Sequence, residues 1–211
     1  LLMKEFARLG YCSVIITSDS NQLAQVPSLD QPYLRQEVDG IQLWWVRTLK
    51  YQVAKSVRRI LSWIDFEWRL LLMPKGNVPK PDVVVVSSLS PLTVLNGFLL
   101  RGRYRCRLVF EIRDIWPLTI TEEGGFSLYN PFVVGLAWVE RLGYRHADAI
   151  VGTMPNLREH VANVLGHEKS VACIPMGVDG SMLVESLDIP DDYNAKYLPK
   201  GEFVVAHAGT I

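Results

Sequence analysis

The residues best placed to do chemistry gather at the ends of apolar runs. Glu111, Arg113 and Asp114 close the run that begins at Arg107, and Trp116-Pro117 follow at once. A guanidinium beside carboxylates can hold a phosphate through paired, charge-assisted hydrogen bonds. It can equally pair with Glu111, which lies two residues earlier on the same strand face, and so merely shape the loop. Ser87-Ser88-Leu89-Ser90-Pro91 closes a second run, Val83-Val84-Val85-Val86. Ser90 with Pro91 reads as an N-cap followed by proline in the first helical turn, whose free amides would suit a phosphate; ordinary capping accounts for the same residues. Two further run ends carry Gly152-Thr153 and Pro175-Met176-Gly177-Val178-Asp179, the latter with a glycine suited to a tight turn.

These positions matter because open α/β sheets bind ligands at the carboxyl ends of their strands. Apolar β-branched runs alternate with helical patterns throughout, which predicts an α/β, doubly wound parallel sheet with helices on both faces. The pattern gives a helix over 1–9 stopped by Gly10, a strand over 12–17, a loop over 19–37 and a strand over 40–47. A helix over 49–73 follows, free of Gly and Pro, and ends at Pro74-Lys75-Gly76. The uninterrupted run 83–86 predicts a strand buried on both faces. A helix from Ser90 to about 100, a strand over 107–114, a helix over 131–146, a strand over 148–151, a helix over 155–165 and a strand over 170–174 complete the pattern. A polar stretch reaches Gly201, and Glu202 to Ile211 reads as the first strand of a new unit. The expected organisation is therefore a domain over 1–201 and the start of a second over 202–211. The chain opens at Leu1-Leu2-Met3 inside an amphipathic pattern, which predicts a preceding segment.

With 211 residues, 49% apolar and 21% charged, the chain can bury an ordinary core and is neither disordered nor low-complexity. The 22 bases balance the 22 acids, which argues against a nucleic-acid binder. Three separate cysteines, Cys12, Cys106 and Cys173, in apolar runs predict buried thiols and fit a reducing, cytoplasmic compartment. No G-x-G-x-x-G, phosphate-loop, zincin or nucleophile-elbow motif occurs. The four histidines are scattered, His146, His160 and His167 at helix ends or polar positions, and neither a metal site nor a cofactor is expected. Residues 41–80 break the charge balance, with eight bases against two acids, Asp65 and Glu67. On the 49–73 helix, Val53, Val57, Ile60, Leu61, Ile64, Trp68 and Leu71 share the face expected to pack on the sheet. Trp63, Phe66 and Leu70 form a second stripe beside Lys55 and Arg59. That stripe suits an anionic membrane surface, or is covered by residues 19–37 or a partner subunit.

Four segments in order carry a family resemblance: Pro81 to Ser88 with Ser90-Pro91, Phe110-Glu111-Ile112-Arg113-Asp114-Ile115-Trp116-Pro117, Ala147-Asp148-Ala149-Ile150-Val151, and Ile174 to Asp179. The chain resembles the N-terminal domain of a GT-B fold glycosyltransferase of family 4, closest to the branch that builds O-antigen and other exopolysaccharides. The resemblance implies one of two facing Rossmann-like domains, this one holding the acceptor and a C-terminal one holding a nucleotide-sugar, with anomeric configuration retained and no obligate metal. It implies catalytic roles for Arg113 and Asp114 and substrate contacts from Glu111, Trp116, Ser88 and Ser90. Gly177 and Asp179 fall at the cleft or hinge, and Gly209-Thr210 resemble the first loop of the donor domain. Many relatives have His-Asp where this chain has Arg113-Asp114, so no catalytic histidine is carried over, and Met176 replaces a common Asn. The partners implied are a nucleotide-sugar and a saccharide or lipid-diphosphate acceptor. The 211 residues alone are expected to be inactive. A nucleotide-sugar 2-epimerase and a non-catalytic sugar- or partner-binding module are the rival readings.

Overall fold

The structure, a computed structural model, describes residues 2–20, 26–51, 56–122, 125–177 and Tyr197. Its first element, helix α1 (Leu2–Arg8), ends at Gly10, whose φ of 87° lets the chain turn back into strand β1 (Ser13–Ser18). Strand β2 (Tyr33–Val38) then pairs antiparallel with β3 (Ile41–Val46), and β3 pairs parallel with β1, giving a three-stranded sheet in the order β1-β3-β2. The expected loop over 19–37 is thus corrected at 33–37, which belongs to β2. This strand escapes a hydrophobicity pattern because nearly all of it is exposed at the sheet edge. Its turn is legible, since Asp39 (φ 52°) and Gly40 (φ 75°) form the Asp-Gly pair that suits a tight hairpin.

Helix α2 (Val57–Leu72) is capped by Ser56, whose Oγ accepts from the Arg59 amide. It is shorter than the predicted 49–73: residues 49–51 are irregular and 52–55, with Val53 and Lys55, lie outside the described residues. Its orientation also reverses the expectation. Phe66 packs on a cluster of Trp44, Val46 and Met73, and Leu70 is buried. Trp63 stacks inward, whereas Val57, Leu61, Ile64, Trp68 and Leu71 are exposed. The aromatic stripe therefore faces the protein and the aliphatic stripe faces solvent. The decisive contacts are polar: Glu67, on the inward side, accepts from Thr93 Oγ1 and Asn96 Nδ2, both at 2.6 Å. That pins α2 to the next helix.

After a short 3₁₀ turn (Lys75–Asn77) come β4 (Val83–Ser87), α3 (Thr93–Tyr104), β5 (Arg107–Ile112), α4 (Leu118–Glu122), α5 (Pro131–His146), β6 (Ala149–Gly152), α6 (Leu157–Leu165) and β7 (Val171–Cys173). Strands β4-β5-β6-β7 form a parallel sheet flanked by helices, the α/β Rossmann-like arrangement the alternating pattern predicts. Its core unites Val86, Leu108, Phe110, Ile112 and Ile150 with Val94 of α3, Val139 and Tyr144 of α5, and Leu157, Val161 and Leu165 of α6. Strand β4 is not buried on both faces, however. It lies at the end of the sheet order, and Val83 and Val85 are exposed while Val86 is buried.

The Asp148 carboxylate accepts from the Leu108 amide at 2.8 Å and from Arg101 at 2.9 Å, so the Ala147-Asp148 motif stitches β6 to β5 and α3. Cys106 is buried, but Cys12 and Cys173 are exposed, against expectation, because each sits at the margin of its strand. Residues 1–176 form one compact unit and 177–211 another.

Candidate functional site

The carboxyl ends of β4 and β5 meet in one hydrogen-bonded knot with Ser88 at its centre. Ser88 is 2% exposed. Its Oγ accepts from the amides of Arg113 (2.8 Å) and Asp114 (3.0 Å) and donates to the Asp114 carbonyl at 2.9 Å. Its own amide donates to the Glu111 carbonyl at 2.8 Å, and its carbonyl accepts from Trp116 Nε1 at 2.6 Å. With one donor and two acceptor positions occupied, the hydroxyl has nothing left for a substrate. Ser88 holds the loop.

Trp116 is likewise a support. It is buried, its peptide bond to Pro117 is cis, and its ring meets Trp63 of α2 edge to face at 5.2 Å. This contact explains the reversed α2: the helix braces the site loop through Trp63 and braces α3 through Glu67. Desolvation pushes the Glu67 carboxyl above the ordinary glutamate value, against hydrogen bonds from Thr93 and Asn96 that pull it down.

What the knot presents outward is Arg113. Its side chain is exposed, and among the described residues no ion pair or side-chain hydrogen bond engages it, so the alternative of a pair with Glu111 is not what the structure contains. Asp114 is partly buried, with main chain fixed by Ser88 and its carboxylate unengaged among the described residues. Beneath it a void no larger than one water is lined by Ser88, Asp114, Trp116, Glu140 and Tyr144. Glu140 Oε1 accepts from Tyr144 Oη at 3.0 Å and lies 2.9 Å from His160 Nε2. Burial and the neighbouring Glu140 push the Tyr144 hydroxyl far above its ordinary value, so it stays a neutral donor.

Ser90 does not cap α3. The helix begins at Thr93 after a turn in which the Thr93 amide donates to the Ser90 carbonyl, and the Oγ atoms of Ser87 and Ser90 are buried without a partner among the described residues. Gly152, at the end of β6, is required by close approach, since a Cβ there would lie 2.3 Å from Leu157 Cδ2 and 2.9 Å from the Ile112 carbonyl. Gly177 is exposed in the second unit; Asp179, Gly209 and Thr210 lie outside the described residues.

Sequence reasoning missed two polar groups. Glu140, on α5, and His160, on α6, belong to none of the motifs, and only packing brings them within 2.9 Å of each other. Asp19 was legible by the strand-end rule, since it directly follows β1: its carboxylate, almost fully buried, accepts from the Thr48 amide at 2.8 Å and pairs with Lys50 at 2.7 Å. A basic depression with Arg101, Arg105, Arg107 and His146 lies at the opposite, amino end of the strands. There Arg101 is committed to Asp148 and the His146 carbonyl, and the C-terminal ends of α3 and α5 account for the bases. Among the described residues no group of three metal-ligating side chains occurs.

Residues 1–177 match the glycosyl transferase 4-like domain family. The chain belongs to that family. A comparison with curated proteins finds no match. The strand-end knot around Ser88 sets Arg113 and Asp114 just past the carboxyl end of β5 in this domain.

Proposed function

We propose that the chain is the acceptor-side half of a retaining, GT-B glycosyltransferase. In this reading it moves a sugar from a nucleotide-diphosphate-sugar to a saccharide or lipid-diphosphate acceptor during cytoplasmic synthesis of a cell-surface polysaccharide. The observation that carries the proposal is the exposed Arg113 guanidinium, unengaged among the described residues, on a loop fixed from behind by Ser88 and Trp116. A rigid arginine without an internal partner suits a phosphate. Arg113 neutralises charge on the acceptor or departing diphosphate, and Asp114 orients the acceptor hydroxyl. The bond from the anomeric carbon to the diphosphate oxygen breaks, a bond to the acceptor oxygen forms on the same face, and the hydroxyl proton passes to the departing phosphate. Glu111, on the Arg113 strand face, contributes a sugar contact, and the amides ahead of α3 beside Ser90 receive an acceptor phosphate.

Donor binding falls to a second domain, and Gly177, Asp179, Gly209 and Thr210 contribute substrate contacts.

The test is release of uridine diphosphate from uridine-diphosphate-sugars by the full-length enzyme with acceptor lipid or saccharide extracts. Arg113→Ala is expected to lower kcat/KM by roughly ten- to a hundredfold, the value of a charge-assisted contact, with partial recovery in Arg113→Lys. Unchanged kcat/KM in Arg113→Ala refutes the role.

A further inference from the structure

The outward face of α2 is apolar along its whole length. Val57, Leu61, Ile64, Trp68, Leu71 and Leu72 are all exposed, Trp68 by 60%. On a 16-residue helix they make a stripe about 24 Å long. Isolated exposed apolar side chains are ordinary, but a contiguous stripe of six marks a contact surface.

The charges around it are sorted by sign. Of the two acids in residues 41–80, Asp65 is held by Arg69 at 2.8 Å and by the Leu49 amide at 2.9 Å, while Glu67 is turned inward onto Thr93 and Asn96. Neither leaves a free negative charge beside the stripe. Arg58, on α2 next to Val57, is exposed, as is Arg47 in the segment that meets α2 through the Leu49 amide; Lys50 is exposed but paired with Asp19. An apolar stripe with a tryptophan at its centre and a basic surround complements an anionic lipid surface. A second copy of the chain fits less well, because a two-fold contact would set this basic surround against itself. No helix among the described residues is long and apolar enough to cross a membrane, so the contact lies in the plane of the interface.

We propose that α2 lies on a bilayer bearing anionic phospholipid headgroups, with Leu61, Ile64, Trp68 and Leu71 entering the headgroup–acyl boundary and Arg58 at the phosphate level. The proposal goes beyond the transferase reading and does not depend on it.

The experiment floats the full-length protein with vesicles of phosphatidylcholine alone and of equal parts phosphatidylcholine and phosphatidylglycerol. The wild type is expected to float with the mixed vesicles and less with the neutral ones. Leu61→Gln/Ile64→Gln/Trp68→Gln, all at exposed positions, should keep its circular dichroism and melting temperature and lose roughly tenfold or more of the binding. Arg58→Gln should lose about fivefold on the mixed vesicles only, the effect of one base near an anionic surface. If the triple variant melts lower, Trp68→Gln alone carries the test. Equal flotation of wild type and variants overturns the proposal, as does a wild-type dimer, unaffected by vesicles, that the triple variant splits. Turnover with a soluble acceptor, which the triple variant should retain, reports separately on the transferase reading.

Discussion

Replacing Ser88 by alanine removes one oxygen and three hydrogen bonds: two received from the Arg113 and Asp114 amides and one given to the Asp114 carbonyl. Each intramolecular bond is worth about 1 kcal/mol net, and a main-chain group left unpaired in a partly buried loop costs at least as much. The expected loss is therefore about 2–3 kcal/mol. In a domain of this size that lowers the melting temperature by roughly 4–12 °C. Chemical and thermal denaturation followed by far-ultraviolet circular dichroism and tryptophan fluorescence give the two quantities, and the Trp116 indole, which donates to the Ser88 carbonyl, reports loosening of the loop. A second consequence separates this account from plain cavity formation. Arg113 is exposed and contributes no packing, so Ser88→Ala should impair turnover in the full-length enzyme beyond what its stability loss predicts, by freeing the main chain that aims the guanidinium. A destabilisation below about 0.5 kcal/mol, the usual scatter of an inconsequential substitution, would refute the claim that Ser88 holds the knot.

The Trp63–Trp116 contact should show as a coupling of about 1 kcal/mol in a double-mutant cycle of Trp63→Leu and Trp116→Phe, measured by urea unfolding; no coupling would mean that α2 does not brace the loop. Glu67 supplies a pH test. Its carboxyl is raised in the folded state, so the folded protein binds the proton more tightly than the unfolded chain, and stability declines as pH rises from about the ordinary value of 4.5 through the raised one. Glu67→Gln should flatten that decline, its stability relative to wild type improving as pH rises through the same window, whereas parallel pH profiles would show that desolvation of Glu67 is not what matters.

The parallel sheet was legible because β5, β6 and β7 are short apolar runs separated by helical patterns, and the strand-end rule located Ser88 and the Arg113-Asp114 loop without any contact information. The rule could not distinguish a residue that faces a ligand from one that builds the loop. Ser88 and Arg113 both stand at strand ends in the sequence, yet the first is saturated by main-chain groups and the second has no side-chain partner among the described residues. That difference depends on where β5 stands beside β4, with Ser87 opposite Glu111, a register no local pattern encodes. Strand β2 failed for another reason: an exposed edge strand has no hydrophobic alternation, and only the Asp39-Gly40 turn betrays it.

Helix α2 shows how periodicity can find a helix and still misplace it. Its sequence carries two apolar stripes on opposite sides, one aliphatic and one aromatic, and a period of 3.6 is satisfied by burying either. The longer aliphatic stripe offers more apolar area, so area alone predicts that it packs. The structure buries the other because that side has specific partners: Trp63 meets Trp116, Phe66 meets Trp44 and Val46, and Glu67 meets the paired donors Thr93 and Asn96. Glu67 was the available signal, since rotating α2 to bury Leu61, Ile64 and Trp68 would take Glu67 off Thr93 and Asn96 and leave two donors at the start of α3 without their acceptor. A carboxylate inside an aromatic stripe costs desolvation free energy and persists only where donors await it. The exposed aliphatic stripe is thus the residue of a choice made for the site loop, which requires α2 behind Trp116. What that stripe meets outside the protein follows from its own chemistry, an apolar face with basic surroundings and both nearby acids withdrawn.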